Sequence, residues 1–238
     1  MKQRLDVHIT RLGMVPTRSQ AESVIRLGEV RVNGQVVTKP GHFVGESDRV
    51  VLATKERYVS RAGLKLASVA EKLNVRFDNA TVLDVGSSTG GFTDYALRHG
   101  AKKVFAVDVG TDQLHPSLRQ DTRIELHEKT DIRDFQPPVS PDIVVMDVSF
   151  ISLREILPHI AKISDAHTQI VAMLKPQFEA GRGQVNKGII KNDAVRRQIL
   201  KDFEAWTREY FVIQNKADSD VAGAKGNRER FYLLKTTA

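Results

Sequence analysis

Apolar positions along this chain follow two rhythms. From residue 60 onward, short apolar runs of strand length alternate with longer stretches of helical period. Strands are predicted at 81–85, 103–108, 124–127, 142–147, 168–174, 211–215 and 230–235, and helices at 60–73, 92–99, 153–163 and 194–210. Leu64, Ala67, Val69 and Leu73 form the inward face of the first helix, and Gly100 ends the second. This alternation specifies an α/β domain with a parallel-rich sheet. The first 57 residues are patterned on a smaller scale. Leu5, Ile9 and Leu12 share one helical face, and Thr17 to Gln20 form a capping box. Ala21, Val24 and Ile25 continue that second helix until Gly28 stops it. Val30-Arg-Val32, Asn33-Gly34 and Gln35-Val-Val37 spell a hairpin with a type I′ turn. Lys39-Pro40-Gly41 is a further turn, and Val44 and 49–52 supply more strand. A small α+β module over 1–57 therefore precedes a larger α/β domain over 60–238, with a polar linker at about 53–59.

The segment Asp84-Val-Gly-Ser-Ser-Thr-Gly-Gly-Phe92 joins the first strand of the larger domain to its helix. Strand, glycine-rich turn and helix form the ligand site of open α/β sheets. Glycines at 86, 90 and 91 do not fit the G-x-G-x-x-G spacing of dinucleotide sites, which points to an adenosyl ligand without a pyrophosphate. Asp84, Gly86, Ser88, Gly90, Gly91 and Phe92 are the candidate contacts of this turn, and its amides at the helix start suit a carboxylate. Asp108 follows the second strand, where a carboxylate accepts from ribose hydroxyls. Asp131 follows the third and is placed to accept from an exocyclic amino group. A ligand with adenine, ribose and an amino acid describes S-adenosylmethionine. A nicotinamide dehydrogenase keeps the same turn and Asp108 but fails on glycine spacing. Asp147 and Lys175 end the fourth and fifth strands at the same edge, where a lone lysine also has the option of snorkelling to water.

Composition narrows the partners. The chain has 36 Lys and Arg against 29 Asp and Glu, a net charge of +7, as expected of a protein that meets nucleic-acid phosphates. Arg4, Arg11, Arg18, Arg26 and Arg31 lie on or beside the small module's elements. Without cysteine, disulfides and thiolate metal sites are excluded, and no metal is expected. No stretch approaches the roughly 18 apolar residues of a membrane span, and 1–6 lack a signal-peptide core, so a cytoplasmic protein is expected. Oligomeric state is not encoded in any pattern of this kind.

The order Arg4-Leu-Asp6, Thr17-Arg-Ser-Gln-Ala21, Ile25-Arg-Leu-Gly28, Val30-Arg-Val-Asn-Gly34 and Lys39-Pro40 resembles the S-four-type RNA-binding domain. The resemblance implies binding of structured RNA through the helix face that carries Arg18 and Arg26. Across the rest of the chain, Tyr58-Val-Ser-Arg-Ala-Gly-Leu-Lys65-Leu66, the 84–92 turn, Val107-Asp-Val-Gly110, Asp147-Val-Ser-Phe-Ile-Ser152, Leu174-Lys-Pro-Gln-Phe-Glu179 and Gly226-Asn-Arg-Glu229 resemble the TlyA-type family. Its members, often labelled hemolysin-like, join an S-four-type domain to an FtsJ-like RNA 2′-O-methyltransferase. The resemblance implies a Rossmann-like class I SAM-dependent methyltransferase fold behind a small α+β RNA-binding domain. It implies a catalytic tetrad at Lys65, Asp147, Lys175 and Glu229, and as substrate cytidine 2′-hydroxyls in large-subunit rRNA, in some members also in the small subunit. The partner would be rRNA or a ribosomal subunit. Lys175 then acts either as the base or as a protonated donor that orients the hydroxyl. The chain departs from the family at Asn186 and Ile189, which interrupt a small-residue loop, and at Asp131, where some relatives carry Asn. A non-catalytic RNA-binding protein is the alternative that charge and the first module also allow; a pore-forming hemolysin has only the label behind it.

Overall fold

A computed structural model describes residues 2–26, 28–52, 58–181, 183–185, 188–190, 192–223 and 226–237. Residues 53–57 of the expected linker and the departure at Asn186 lie outside the described residues. The backbone divides into two compact units, Met1–Arg57 and Tyr58–Ala238.

In the first unit, β1 (Gln3–Arg4) runs into α1 (Leu5–Arg11), followed by α2 (Arg18–Arg26), β2 (Val30–Val32), β3 (Gln35–Val36), β4 (Phe43–Val44) and β5 (Val50–Leu52). The capping box is formed: the Gln20 amide donates to Thr17 Oγ1 at 3.3 Å, and Gln20 Oε1 accepts from the Thr17 amide at 3.2 Å. Asn33 and Gly34 both have positive φ, 53° and 83°, as a type I′ turn requires, so Arg31 pairs with Val36 and Val32 with Gln35. Leu5, Ile9, Ala21, Ile25 and Val30 make the core. Leu12 is corrected by the structure. It lies beyond the last turn of α1 and is 51% exposed, because the chain leaves the helix at Arg11.

The second unit contains α3 (Arg61–Ala70), β6 (Thr81–Val85), α4 (Gly91–Arg98), β7 (Lys103–Val107), β8 (Ile124–His127), β9 (Ile143–Met146), α5 (Leu157–Ile163), β10 (Gln169–Leu174), α6 (Pro176–Glu179), α7 (Asp193–Thr207), β11 (Phe211–Asp218) and β12 (Arg230–Thr236). Seven strands form one sheet in the order β11-β12-β10-β9-β6-β7-β8, parallel except for β12, which runs antiparallel to both neighbours. The chain moves outward from β6 to β8 and returns on the other side at β9, so the strand order switches beside β6. Alternate residues of β6 serve opposite cores: Val82 packs with Leu66, Val69, Leu73 and Tyr95, and Leu83 with Val144, Leu157, Ile160 and Phe203.

Three helices differ from expectation, and the one expected at 194–210 ends at Thr207. The first ends at Ala70 rather than 73, in a turn closed by left-handed Asn74, with the Val75 amide bonded to Ala70 O at 3.0 Å. Its inward face is Gly63, Leu66, Val69 and Ala70, while Leu64 and Ala67 are half-buried. The stretch 153–163 is broken into a 3-10 turn, Leu153–Glu155, and α5. Pro158 is the cause: its ring tolerates the first turn of a helix but obstructs the carbonyl four residues earlier.

Candidate active site

Strand β6 delivers Asp84 into the interior at 1% exposure. Its Oδ2 accepts from Thr93 Oγ1 at 2.6 Å, while Oδ1 is buried without a hydrogen-bond partner. Burial pushes this carboxyl up to about 7, with repulsion from Asp147 adding to the shift. The three glycines after it have separate reasons. Gly86 has φ +77°, and a Cβ there would stand 3.0 Å from Asp147 O. Gly90 has φ +90°, and a Cβ would meet Leu118 Cδ1 at 2.5 Å. Gly91 lies where a side chain would strike Ser60 Oγ and the Gly63 backbone, so it lets α4 approach α3 closely. The amides of Gly86, Ser87, Ser88 and Gly90, ahead of the helix start, are committed to the turn's own fold. Gly86 and Ser87 donate to Val107 O, Gly90 to Ser87 O, and Ser88 to Asp108 Oδ2 at 2.8 Å. Ser87 borders a small recess, and its Oγ is buried there without a hydrogen-bond partner.

A cavity of about 450 Å³ opens along the strand ends, lined by Gly86, Ser88, Asp108, Asp131, Ile132 and Phe150 among others. A recess of about 70 Å³ beside it is lined by Asp84, Ser87 and Phe92, with Asp147 common to both. Phe92 is also a core residue, 1% exposed and packed on Phe231. Asp108 accepts from the Gly110 amide at 2.7 Å in addition to Ser88. Asp131 caps the short turn Ile132–Asp134, and Arg133 grips both its oxygens, at 3.0 and 2.6 Å, holding the carboxyl down at about 2. An exocyclic amino group would share Asp131 with Arg133.

Lys65, Asp147, Lys175 and Glu229 come from four separate places in the chain: α3, the ends of β9 and β10, and the approach to β12. They meet as two ion pairs. Lys175 Nζ lies 2.6 Å from Asp147 Oδ1, and Lys65 Nζ lies 2.5 Å from Glu229 Oε2, with both lysine side chains only 10% exposed. Both contacts fall outside hydrogen-bonding angles, so Asp147 Oδ1 and Glu229 Oε2 face ammonium groups without a formal bond. Lys175 also donates to Ser149 Oγ at 2.6 Å. Lys65, Lys175 and Glu229 line a further cavity of about 300 Å³. Ser149 and Phe150 belong to the walls of both this pocket and the large cavity.

Sequence reasoning did not single out Ser149, Gln177 or Glu179 individually. Buried Glu179 accepts from Ser152 Oγ at 2.6 Å and from the Leu153 amide at 2.7 Å, tying the loop after β9 to the helix after β10. Burial raises its carboxyl above the usual range. Phe150 is 92% exposed with φ +66°, an unusual backbone for an aromatic residue, and packs on Phe178 at 5.2 Å.

In the first unit the arginines divide into two kinds. Arg4 and Arg18 converge on Asp6, which is 0% exposed: Arg4 Nη2 donates at 2.8 Å and Arg18 Nε at 3.0 Å. The Arg4 hydrogen bond, with Arg18 assisting, holds the Asp6 carboxyl at about 2. Arg11 and Arg26 are exposed, and exposed Arg31 donates to Gly34 O at 3.0 Å.

The FtsJ-like methyltransferase family matches residues 58–236, and the S4 domain matches residues 3–50. Hemolysin A of Brachyspira hyodysenteriae is 40% identical over 232 residues, 95% of this chain and 97% of that protein. The 16S/23S rRNA (cytidine-2′-O)-methyltransferase TlyA of Mycobacterium tuberculosis is 35% identical over 99% of this chain and 90% of that one. A solved structure from Streptococcus thermophilus, named as a hemolysin, superposes with a TM-score of 0.75 at 39% identity, covering 99% of this chain and 89% of that one. Among the described residues, no helix is long and apolar enough to cross a membrane.

Proposed function

The chain belongs to the FtsJ-like methyltransferase family, with an S4 domain ahead of the catalytic one, and on that premise we propose that it methylates the ribose 2′-hydroxyl of a cytidine in rRNA. The observation that carries this reading is the shared wall. Ser149 and Phe150 separate a cavity of nucleoside-like lining from a pocket in which Lys175 is held between Asp147 and Ser149. A methyl donor on one side and a hydroxyl on the other would meet at that seam.

The residues present fit S-adenosylmethionine. Unpaired Asp84 Oδ1 suits an ammonium group, and unpaired Ser87 Oγ suits a carboxylate. Asp108, at the end of β7, suits the ribose hydroxyls, and Ile132 and Asp131 the far wall against the adenine. Gly86 allows close approach, and Ser88, Gly90, Gly91 and Phe92 shape the turn. When bound, the cofactor supplies a methyl group already activated on a sulfonium.

Lys175 faces the 2′-hydroxyl, with Asp147 and Ser149 fixing the direction of its amine: as the neutral amine it accepts the hydroxyl proton while the oxygen takes the methyl group, and as the ammonium it instead orients the hydroxyl and steadies the developing alkoxide. Lys65, steadied by Glu229, aligns the ribose from the other side of the pocket. Arg4, Arg11, Arg18, Arg26 and Arg31 contribute phosphate contacts that position the RNA without reading its sequence. The mycobacterial relative's name extends to both 16S and 23S rRNA; for this chain, 23S rRNA is the proposed target, with 16S the second substrate to test. Such a substrate puts the protein in the cytoplasm.

Labelled S-adenosylmethionine with isolated subunits and deproteinised rRNA, followed by mapping of the modified nucleotide, tests this. Lys175→Ala should reduce transfer by on the order of 10²–10⁴-fold and leave cofactor affinity by calorimetry nearly unchanged. Near-normal turnover by that variant, or label found on a base instead of a ribose, would overturn the assignment.

A further inference from the structure

Two neutral amide side chains line the Lys65–Lys175 pocket, and they are in opposite states. Asn227 is fully engaged in bracing loops: its Oδ1 accepts from the Ile190 amide at 3.1 Å, and its Nδ2 donates to Gly188 O at 2.8 Å. Gln177, two residues past Lys175 in the first turn of α6, has its Oε1 buried without any hydrogen-bond partner. Glu229 Oε2, in the same pocket, is likewise without a hydrogen bond but has the Lys65 ammonium beside it. No described cation pairs with Gln177. A buried amide oxygen without a donor costs on the order of 1–3 kcal/mol, so its retention in a pocket calls for an explanation, and a ligand donor supplies one.

We infer that Gln177 reads the target base: its Oε1 accepts a hydrogen bond from the exocyclic amino group of cytosine. The inference rests on the proposed ribose methylation, because a ribose presented to Lys175 carries its base into the pocket that Gln177 lines. The chemistry of the pyrimidine edge supplies the selectivity. Cytosine offers an amino donor at the position where uracil offers a carbonyl acceptor. Opposite Gln177 Oε1, cytosine completes the unpaired oxygen, whereas uracil sets two acceptors against each other and pairs only if the amide turns to present Nε2. A site built to pair with a donor rejects the analogue lacking it more strongly than a purely apolar pocket does. The pocket of about 300 Å³ is walled by Phe150 and Phe178, which supply ring faces. Gln177 is therefore a specificity-determining residue, separate from the groups that hold the ribose.

The test compares transfer from labelled S-adenosylmethionine to subunits carrying the mapped target cytidine with transfer to subunits carrying uridine there. Wild type, Gln177→Leu and Gln177→Glu are assayed, with cofactor affinity as the check that each is folded. Gln177→Leu should lower the cytidine-over-uridine ratio of kcat/KM by about tenfold, and Gln177→Glu, which keeps an acceptor, should retain most of it. An unchanged ratio in a folded Gln177→Leu variant overturns the inference and leaves the ribose methylation standing. Failure of wild type to label any rRNA ribose removes both.

Discussion

The most deeply buried aspartates of the two units, Asp6 and Asp84, are treated oppositely. Asp6, in the first unit, is enclosed by Arg4 and Arg18 and held at about 2. Asp84, at the end of β6, has only Thr93 for company and is pushed up to about 7. A buried carboxylate supplied with partners is a scaffold, and here it fixes the directions of two arginines that face solvent. A buried carboxylate left without a counter-charge is poised for a ligand that brings one. The exposed heads of Arg4 and Arg18 do not contradict this, since a guanidinium has donors to spare beyond those that Asp6 accepts.

The contrast can be broken most forcefully at Asp84. If it awaits a cationic group, Asp84→Asn should weaken S-adenosylmethionine binding by about 10–100-fold, read by calorimetry. The same change should raise the melting temperature of the unliganded protein at neutral pH, because it removes a desolvated charge. Unaltered affinity would make Asp84 merely structural.

The next effect is in pH. An Asp84 that must ionise to meet an ammonium group loses cofactor affinity by up to about tenfold per pH unit below about 7. Its influence on stability runs the opposite way. Its folded value lies above the ordinary 3.8, so a contribution present below about 4 is lost as pH rises through about 7. Asp6 has the opposite sign. Its folded value lies below 3.8, so its contribution is present above about 4 and is lost as pH falls through about 2. Melting curves of each Asn variant against wild type across this range should diverge in opposite directions.

Smaller still is the loss on Asp6→Asn at neutral pH, about 1–2 kcal/mol by denaturant titration of the first unit. This is below the cost of breaking a fully buried pair, because Arg4 and Arg18 are 43% and 57% exposed and rehydrate. Cofactor affinity should not change. Least of all, Arg26→Ala should weaken rRNA binding a few-fold and reduce the salt dependence by about one counterion. An unchanged salt slope would remove Arg26 from the RNA face.

How much of this was legible depends on how locally each feature is set. The hairpin at Asn33-Gly34, the capping box at Thr17 and Gln20, and strands β6 and β8 each follow from neighbouring residues, and they stand where the pattern placed them. The strand, glycine turn and helix after Asp84 were legible, but the turn's committed amides were not, because Val107 and Asp108 reach it from a different strand. On the first helix Val69 and Leu73 are buried as expected, whereas Leu64 and Ala67 are half-buried and Gly63 turns inward, because a side chain there would meet Gly91 O at the start of α4. Asp131 reads as a base contact in sequence, whereas in space it is first the partner of Arg133.

The sequence by itself determined the elements, the two-part organisation of its patterning, the switch from strand to glycine turn, and the excess of basic charge. Those are matters of period, turn chemistry and composition, which act within a few residues. Only the tertiary structure decided which acid meets which base. Lys65 reaches Glu229 and Lys175 reaches Asp147 because the sheet order sets β12, β10, β9 and β6 side by side. It alone also showed that Asp84, Ser87 and Gln177 have polar atoms buried without partners, since burial is a property of the whole packed domain and not of any stretch of chain.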